Sequence, residues 1–590
     1  MKSIIKLFVF SVILLVMGCS RKESFKYFKN FTVNDMYSII GEDQIPEDAL
    51  DHSKYYKFTY DARDKIKKIE YIKYGEISKD DYYGISRIDI EYSKESEKHT
   101  YYDSNGKLIV NKEGYSAIVI YLNQMGIPEQ VVYFGQQGNM IVDHQGISKI
   151  ELKYDNSKRI IEKKFYDLSK NLTNHGILGV PIIQWKYDSK GNKIEERYIG
   201  EKGTLRERWY DNVAIIQWDY NNKGDLIEER NYDRFGKLAR RKSDGAAIIN
   251  HEYSYDDRGG YEVIKRYYDG QRELKGNTID GVSIILFQYD NKGHLLVKSC
   301  YGNNGKLRKS KSDGAAICRW KYDNKDNIIE IRYYGTDEQL CPSRLYGVPV
   351  VNWEYDKHGN KIKENYYGYN EELMERVFTS EWIYWNYGIA STERSYDDEC
   401  RIIEEKYFGV SNDLKERMNS KIAITRWEYK DNGKTVEERC FGTDNKLKSN
   451  DISGVPITVW QFDNNGNKIE ERYFDLDNEP MENKDNGVAI IKWQYNTRGD
   501  IIEEQYFGAD KNPKECRYHK DWNINIDHVA MVKLEYDNKG RLIEEKYYNA
   551  GKHLKQDIAI TRCVYNDNGN ISQYIYLDKN GNIIDRKINT

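Results

Sequence analysis

Apolar and polar residues alternate with a period of two along short stretches of this chain, and the stretches come in pairs. In residues 179–200, Ile183, Trp185 and Tyr187 alternate with Gln184 and Lys186. That pattern predicts a half-buried β-strand, and aromatic and β-branched residues suit such a pleated surface. Asp188-Ser189-Lys190-Gly191-Asn192 then predicts a tight turn with Gly191 at positive φ. A second strand over Lys193–Ile199 follows, Gly200-Glu201-Lys202-Gly203 closes it, and a variable segment leads on.

The same unit recurs through the chain. Its anchoring aromatic, tyrosine in all copies but one, stands at positions 60, 92, 121, 154, 187, 220, 255, 289, 322, 355, 396, 429, 462, 495, 536 and 565, and nine of these fifteen intervals are 33 or 34 residues. Self-similarity at this period marks a repeat array whose units bury apolar faces against their neighbours. Seven of the eleven tryptophans fall two residues before an anchor (Trp185, Trp218, Trp320, Trp353, Trp427, Trp460 and Trp493). Glycine recurs eight residues before the anchor, as at Gly84, Gly146, Gly281, Gly347 and Gly487, where Asn212, Asp557, His52 and His528 replace it. Asn, Asp and His are enriched at positive φ, so a left-handed bend is expected there.

Helical repeats share this period, but no amphipathic 3.6-residue run of helix length is present and turn glycines interrupt the pattern about every ten residues. A meander that repeats by translation needs an even number of strands per unit. Two strands are strong and the third segment varies (Thr204-Leu-Arg-Glu-Arg, Lys306-Leu-Arg-Lys-Ser). The expected fold is therefore all-β: an elongated tandem array of about sixteen antiparallel hairpins, each with a return loop or short edge strand, able to coil into a superhelix or shell.

Composition adds location and exclusions. Lys2 and Lys6 precede an apolar stretch from Leu7 to Val16 that is short for a bilayer span, as in an export signal. Leu15-Val16-Met17-Gly18-Cys19 resembles a bacterial lipobox. That resemblance implies that residues 1–18 are removed, that Cys19 is lipidated, and that 19–50 tether an array spanning 51–590 to a membrane face through acyl chains. The expected location is the bacterial envelope, at the outer membrane or cell surface rather than the inner membrane. The 91 basic and 95 acidic residues nearly cancel, which excludes the basic excess that a nucleic-acid partner requires. The other seven cysteines (Cys300, Cys318, Cys341, Cys400, Cys440, Cys516 and Cys563) show no CxxC spacing and are taken as strand substitutions; an odd number leaves at least one unpaired.

Tyr536-Asp-Asn-Lys-Gly-Arg-Leu-Ile-Glu-Glu-Lys-Tyr-Tyr, Tyr187-Asp-Ser-Lys-Gly-Asn-Lys-Ile-Glu-Glu-Arg-Tyr and Tyr355-Asp-Lys-His-Gly-Asn-Lys-Ile resemble the YD repeats of the bacterial RHS family. The resemblance covers most of residues 50 to 590. It implies hairpins that coil into a sheet able to close as a shell, in that family often around a C-terminal toxin. Only another Asp578-Lys-Asn-Gly-Asn turn follows Tyr565, so toxin delivery is not expected.

Chemistry is sparse. The acidic pairs Glu195-Glu196, Glu228-Glu229, Glu404-Glu405, Glu437-Glu438, Glu470-Glu471, Glu503-Glu504 and Glu544-Glu545 place neighbouring carboxyls on opposite strand faces, so one pair cannot converge on a substrate. Stacked copies should instead form a carboxylate ladder, with Arg197, Arg230 or Arg439 neutralising it from the other face. Turns such as Asp463-Asn-Asn-Gly-Asn lack the glycine and glutamate spacing of a calcium loop, and no histidine or cysteine spacing suits a metal. No catalytic residue, metal or cofactor is expected, and the protein is not expected to be an enzyme. Adjacent aromatics such as Tyr333-Tyr334 and Tyr366-Tyr367 put one ring on each face, and exposed tyrosines suit glycan or protein ligands. The two 41-residue intervals hold insertions, where Trp382, Tyr384, Trp385 and Trp522 are the candidate ligand contacts. The function expected is that of a lipid-anchored binding or structural module at the envelope. The alternative is a shell that encloses or chaperones another polypeptide; a hydrolase of envelope polymers ranks below both.

Overall fold

The computed structural model describes residues 23–588 apart from 48–49, 51–53, 74, 81, 377–387, 497–498, 521–523, 538–539 and 566–570. The described residues form 38 strands and no α-helix. Thirty-six strands pair in one antiparallel sheet, and Cys516–Lys520 with Ile524–Val529 forms a separate hairpin. Hairpins follow one another in chain order, so the sheet is a ribbon whose strands run across its width.

Within a unit the pairing is extensive. Ile182–Tyr187 faces Lys193–Ile199 through Ile183↔Tyr198 and Trp185↔Glu196, and a bulge after Lys186 brings Tyr187 opposite Lys193. Between units only the middle of each strand pairs, as in Glu195↔Gln217, Glu196↔Ile216 and Arg197↔Ile215. The bulge draws the start of the second strand away from its next neighbour and would leave the Lys193 carbonyl without a ladder donor. Tyr220 supplies one, its hydroxyl donating to that carbonyl at 2.9 Å. Tyr92, Tyr187, Tyr322, Tyr355, Tyr396, Tyr429, Tyr495, Tyr536 and Tyr565 donate in the same way to the preceding unit. The anchor tyrosine is thus a staple between hairpins.

Three of the sixteen repeat hairpins lack the bulge: Arg87–Tyr92 with Ser96–Tyr102, Ile248–Tyr255 with Tyr261–Tyr268, and Ile424–Lys430 with Thr435–Phe441. After each, the backbone ladder runs on and the staple is dispensable. Phe462, the one phenylalanine among the anchors, follows the third, and its own N–H donates to the Lys434 carbonyl at 2.8 Å. Two anchors expected from sequence are corrected by the register. Leu122, not Tyr121, opposes Pro128 as Tyr187 opposes Lys193. Tyr253, not Tyr255, aligns with Tyr220, because Ile248 starts its strand as Ile215 does and the hairpin is two residues longer.

The return segment is a loop pinned by a single bridge, Leu205 to Ile199 and its equivalents. Successive loops are linked, as where Trp209 N–H meets the Leu178 carbonyl and Lys311 N–H the Asp280 carbonyl. The bend before each anchor is left-handed at Gly179 (φ 72°), Asn212 (59°) and His528 (60°), but Asp557 does not adopt it and His52 lies outside the described residues. At the far end Ile583–Ile588 folds back and takes the edge of Ile571–Leu577 that elsewhere receives the next unit.

The ribbon returns on itself. Lys79 Nζ donates to Asn467 Oδ1 at 3.0 Å, Ser104 Oγ to the Asn464 carbonyl at 3.2 Å, and Asn432 Nδ2 to Glu76 Oε1 at 3.0 Å. The turn of the twelfth hairpin rests on the first return loop and the turn of the thirteenth on both the first and the second, so one coil takes eleven to twelve units. The hairpin Ser24–Val33/Ile39–Ile45 pairs with Lys54–Tyr60 in the first unit, and its tip reaches the third and fourth. Met36 and Tyr37 pack against the cluster holding Ile118, Tyr133 and Phe165, and Asp35 meets Lys163 at 3.1 Å. On a coiled ribbon such a hairpin can run only as a chord across the concave side. The face bearing Trp185 and Tyr198 is therefore the inner one.

Candidate functional site

The inner face carries two side-chain rows set by the strand register. Position two before the anchor holds tryptophan in most central units, and the residue opposite is usually the second glutamate of the acidic pair. Trp185 Nε1 donates to Glu196 Oε2 at 2.8 Å, Trp218 to Glu229 at 3.1 Å and Trp427 to Glu438 at 3.0 Å. Two residues on stands a buried tyrosine whose hydroxyl donates to the same carboxylate, at 2.8 Å for Tyr473 to Glu471 and 2.7 Å for Tyr547 to Glu545. The pairs Tyr198–Glu196 and Tyr407–Glu405 repeat this contact.

Return loops close over these tyrosines. Arg208 lies 4.6 Å from the Tyr198 ring centre, donates to its hydroxyl at 2.7 Å, and is ion-paired with the buried Asp211. Arg417 lies 4.3 Å from the Tyr407 ring. Burial, followed by the adjacent glutamate, pushes the Tyr198 and Tyr407 hydroxyls far above the usual phenol range. They are structural donors and not nucleophiles. Glu438 is held above the usual carboxylate range, first by burial and further by the neighbouring Glu471 and Glu405, against the Trp427 hydrogen bond and Arg417.

The row changes character along the coil. At the position of Glu196, early units carry Ile69, Val131 and Lys163, and the middle units carry Lys265 and Lys298. Lys298 sits between Asp313 (2.8 Å) and Asp280 (3.5 Å). The apolar beginning is covered by the Met36–Tyr37 tip. Toward the other end the hairpin Cys516–Lys520/Ile524–Val529 covers the inner face, packing Tyr518 and Ile526 with Tyr506, Leu534 and Tyr547. Between these two regions the tryptophan–glutamate stretch is mostly buried among the described residues, with Glu196, Glu405 and Glu471 side chains 14–17% exposed and Trp353 and Glu364 buried. Lysines lie over several of its rings, such as Lys361 at 4.6 Å from Trp353 and Lys468 at 4.6 Å from Trp493.

The first glutamate of each pair belongs to the outer face, and there the sequence expectation needs correction. Arg197 does not neutralise Glu196 across the sheet. Residues two apart share a strand face, so Arg197 meets Glu195 at 2.6 Å, joined by Lys186 at 2.8 Å and Gln217 at 2.7 Å. Burial opposes the Glu195 charge, yet these three partners hold its carboxyl down at about 2. Two carboxylate rows result, one paired with arginine outside and one with tryptophan and tyrosine inside. The second ring of these aromatic pairs also lies outside and half-buried, in several units under a cation, as Tyr334 lies 4.9 Å from Arg319.

The Asp-rich turns are explained by local bonding. Asp463 Oδ1 accepts the N–H groups of Asn465 (2.9 Å) and Asn467 (2.8 Å), and Asp578 does the same with Asn580 and Asn582. Among the described residues no three His, Cys, Asp or Glu side chains gather to hold a metal. No disulfide joins Cys300, Cys318, Cys341, Cys400, Cys440 or Cys516, and all of these but Cys400, together with Cys563, are buried. The candidate contacts Trp382, Tyr384, Trp385 and Trp522, and the lipidation candidate Cys19, lie outside the described residues. The inner tryptophan–glutamate pairing was missed in the sequence; its signal is the constant spacing of eleven residues from Trp185 to Glu196, Trp218 to Glu229 and Trp427 to Glu438.

Fold and lining together define a coiled tandem β-hairpin repeat protein. No family model matches the chain, and no curated protein matches it. Among solved structures, TcdB2-TccC3-TEV is 11% identical with a TM-score of 0.24, covering 94% of this chain and 30% of that one. The Photorhabdus luminescens Tc holotoxin pore with the TccC3-D651A mutation is 10% identical with a TM-score of 0.22, covering 89% and 27%. This chain thus spans less than a third of either, and likeness at these scores carries no argument about activity or partners.

Proposed function

We propose that this protein is a lipid-anchored, extracytoplasmic scaffold of the bacterial envelope whose coiled ribbon holds another polypeptide against its inner tryptophan–glutamate face. The observation that carries this reading is the return of the ribbon on itself, Lys79 to Asn467 and Ser104 to Asn464. A coil offers an enclosed surface that a straight array lacks. Among the described residues the inner face presents indole edges, carboxylates and arginines, a composition that suits holding a chain. Anchoring rests on the Leu15–Cys19 motif, and the proposed location is the outer membrane or cell surface.

Solution scattering on residues 23–590 tests the enclosure. Sixteen hairpins laid straight would extend about 150 Å and give a radius of gyration on the order of 45 Å, whereas a compact coil stays at about 25 Å. The larger value would overturn the proposal. A photo-crosslinking residue at Trp427 in cells should then capture a polypeptide that the same residue at Arg426, on the outer face, does not. A second reading rests on the outer aromatic row, whose half-buried Tyr334, Tyr367 and Tyr548 suit display toward glycans or proteins; protease digestion on intact cells would support it.

A further inference from the structure

The N-terminal hairpin parts from the sheet at a definable place. Ser24–Phe28 pairs residue by residue with Tyr60–Tyr56, and in that register Asn30 would oppose Lys54. It does not, because from Lys29 onward the hairpin runs inward as a chord while Lys54–Tyr60 stays in the ribbon. The ladder to the hairpin's own second strand is interrupted at the same point. Phe28↔Gln44 and Asn30↔Glu42 are paired, Lys29 and Asp43 between them are not, and Asp43 adopts φ 53°. Two diverging strands leave a wedge, and Tyr82 and Tyr83 of the first return loop close its third side. The result is a cleft of about 650 Å³, within the range of small-ligand sites.

Its floor is aromatic. Phe31, Tyr56 and Tyr71 are buried, and Phe31 stacks on Tyr83 at 4.6 Å and meets Tyr56 edge-on at 4.9 Å. Tyr82 stands at the rim, 76% exposed and edge-on to Tyr83 at 4.7 Å. Its walls are polar and exposed. Among the described residues, none of Lys29, Asn30, Thr32, Asp43 and Lys54 has a side-chain hydrogen bond or ion pair. The Asp463 carboxylate, by contrast, is occupied by the N–H groups of its own turn. Two lysines and two aspartates line the cleft, so its formal charges cancel.

We propose that this wedge binds a short neutral oligosaccharide. A sugar ring has an apolar C–H face that packs on an aromatic ring and an edge of hydroxyls that each donate and accept. The wedge meets both demands. Tyr82 supplies an open ring, the two ammonium groups donate, the Asp43 carboxylate accepts, and Asn30 and Thr32 do either. A ligand of one charge would leave the opposing charges of the cleft unanswered. An extended peptide would need a regular run of backbone partners, which the break at Asp43 interrupts. The site is framed by the N-terminal hairpin, the first unit and its return loop, so it depends neither on the proposed cargo nor on lipid anchoring.

Saturation-transfer NMR on the full chain with maltotriose, cellotriose, mannotriose and chitotriose tests it. At least one of these should receive saturation on its ring C–H protons. Tyr82→Ala should weaken that sugar about tenfold by removing the stacking surface, and Tyr82→Phe should leave it within about twofold. Asn30→Ala with Lys54→Ala should weaken it about threefold or more. The circular dichroism spectrum and Tm should stay unchanged in all of these, because the three positions are exposed. Tyr334→Ala, on the outer face, should leave binding as it is. Absence of transfer to every sugar at about 10 mM would overturn the proposal, as would binding indifferent to Tyr82→Ala. Acetyl-lysine amide or glucose 6-phosphate binding in the cleft in place of the neutral sugars would do so too.

Discussion

Lys79 and Asn467, 388 positions apart in sequence, are joined by a 3.0 Å hydrogen bond. The bond belongs to a seam at which the first two return loops meet the turns of the twelfth and thirteenth hairpins, so one turn of the coil takes eleven to twelve units. Its partners are half-exposed and polar, so the coil owes its shape to the accumulated twist and curvature of the sheet, with the seam recording where the turns meet.

The seam predicts a cross-link. Ser104→Cys with Asn465→Cys, whose parent side chains are hydrogen-bonded at 3.2 Å, should form an intramolecular disulfide on oxidation. Electrophoretic mobility without reductant reads it out. Failure to form at protein concentrations too low for dimers would mean that the two regions do not meet.

Anchor tyrosines should divide into two classes. Tyr220→Phe removes the donor to the Lys193 carbonyl and is expected to cost about 1 kcal/mol, the net worth of one such bond. Phe462→Tyr should gain nothing, because the Lys434 carbonyl is already bonded to a backbone N–H. Urea titration of both variants checks this, with hydrogen exchange at the neighbouring strands as a local readout.

Glu195 on the outer face and Glu438 on the inner face should respond to pH with opposite sign. Glu195 is held at about 2 against an unfolded value near 4.5, so its charge stabilises the fold above pH 4.5 and the contribution fades as pH falls toward 2. Glu195→Gln should therefore cost on the order of 1 kcal/mol at pH 7, discounted for screening, and nothing near pH 2. Glu438 is raised; its protonated form fits the fold better, so its contribution is present below pH 4.5 and lost as pH rises past its folded value. Glu438→Gln should be neutral or stabilising at pH 7, with the advantage gone below pH 4.5. Melting curves across pH 2–8 separate the two.

Glycine substitutions should rank by surroundings. Gly224 adopts φ 96° with open space where a Cβ would stand, so Gly224→Ala should cost about 1 kcal/mol of backbone strain. At Gly179 (φ 72°) a Cβ would fall 2.2 Å from the Trp209 ring, which adds displacement of the next return loop. Gly179→Ala should lower the melting temperature more than Gly224→Ala does.

The buried thiols should be inert. Burial pushes Cys300 and Cys440 up to about 12, leaving almost no thiolate at neutral pH. Alkylation followed by mass spectrometry should modify them only after unfolding, and the half-buried Cys400 first.

Several features were legible in the chain because they are local. Alternation of apolar and polar residues specified the strands, and the described elements Ile182–Tyr187 and Lys193–Ile199 fall where the pattern of residues 179–200 puts them. The left-handed bends at Gly179 and Asn212 were legible for the same reason, since sterics restrict which residues tolerate positive φ. The misplaced anchors show the limit of reading by residue type. Tyr121 and Tyr255 drew the alignment because they are aromatic, although Gly114 and Gly245 lie eight residues before Leu122 and Tyr253 and would have corrected it.

The sequence by itself determined the unit, its two strands, its turn and its repetition, because each depends on interactions among residues a few positions apart. Only the tertiary structure decided which carboxylate of each pair faces inward, why Phe462 needs no hydroxyl, and that Lys79 meets Asn467. The physical reason is one of scale. A bulge of one residue resets the register between neighbouring hairpins, and small rotations between units add over eleven to twelve of them into a closed turn, and neither quantity is written in any single repeat.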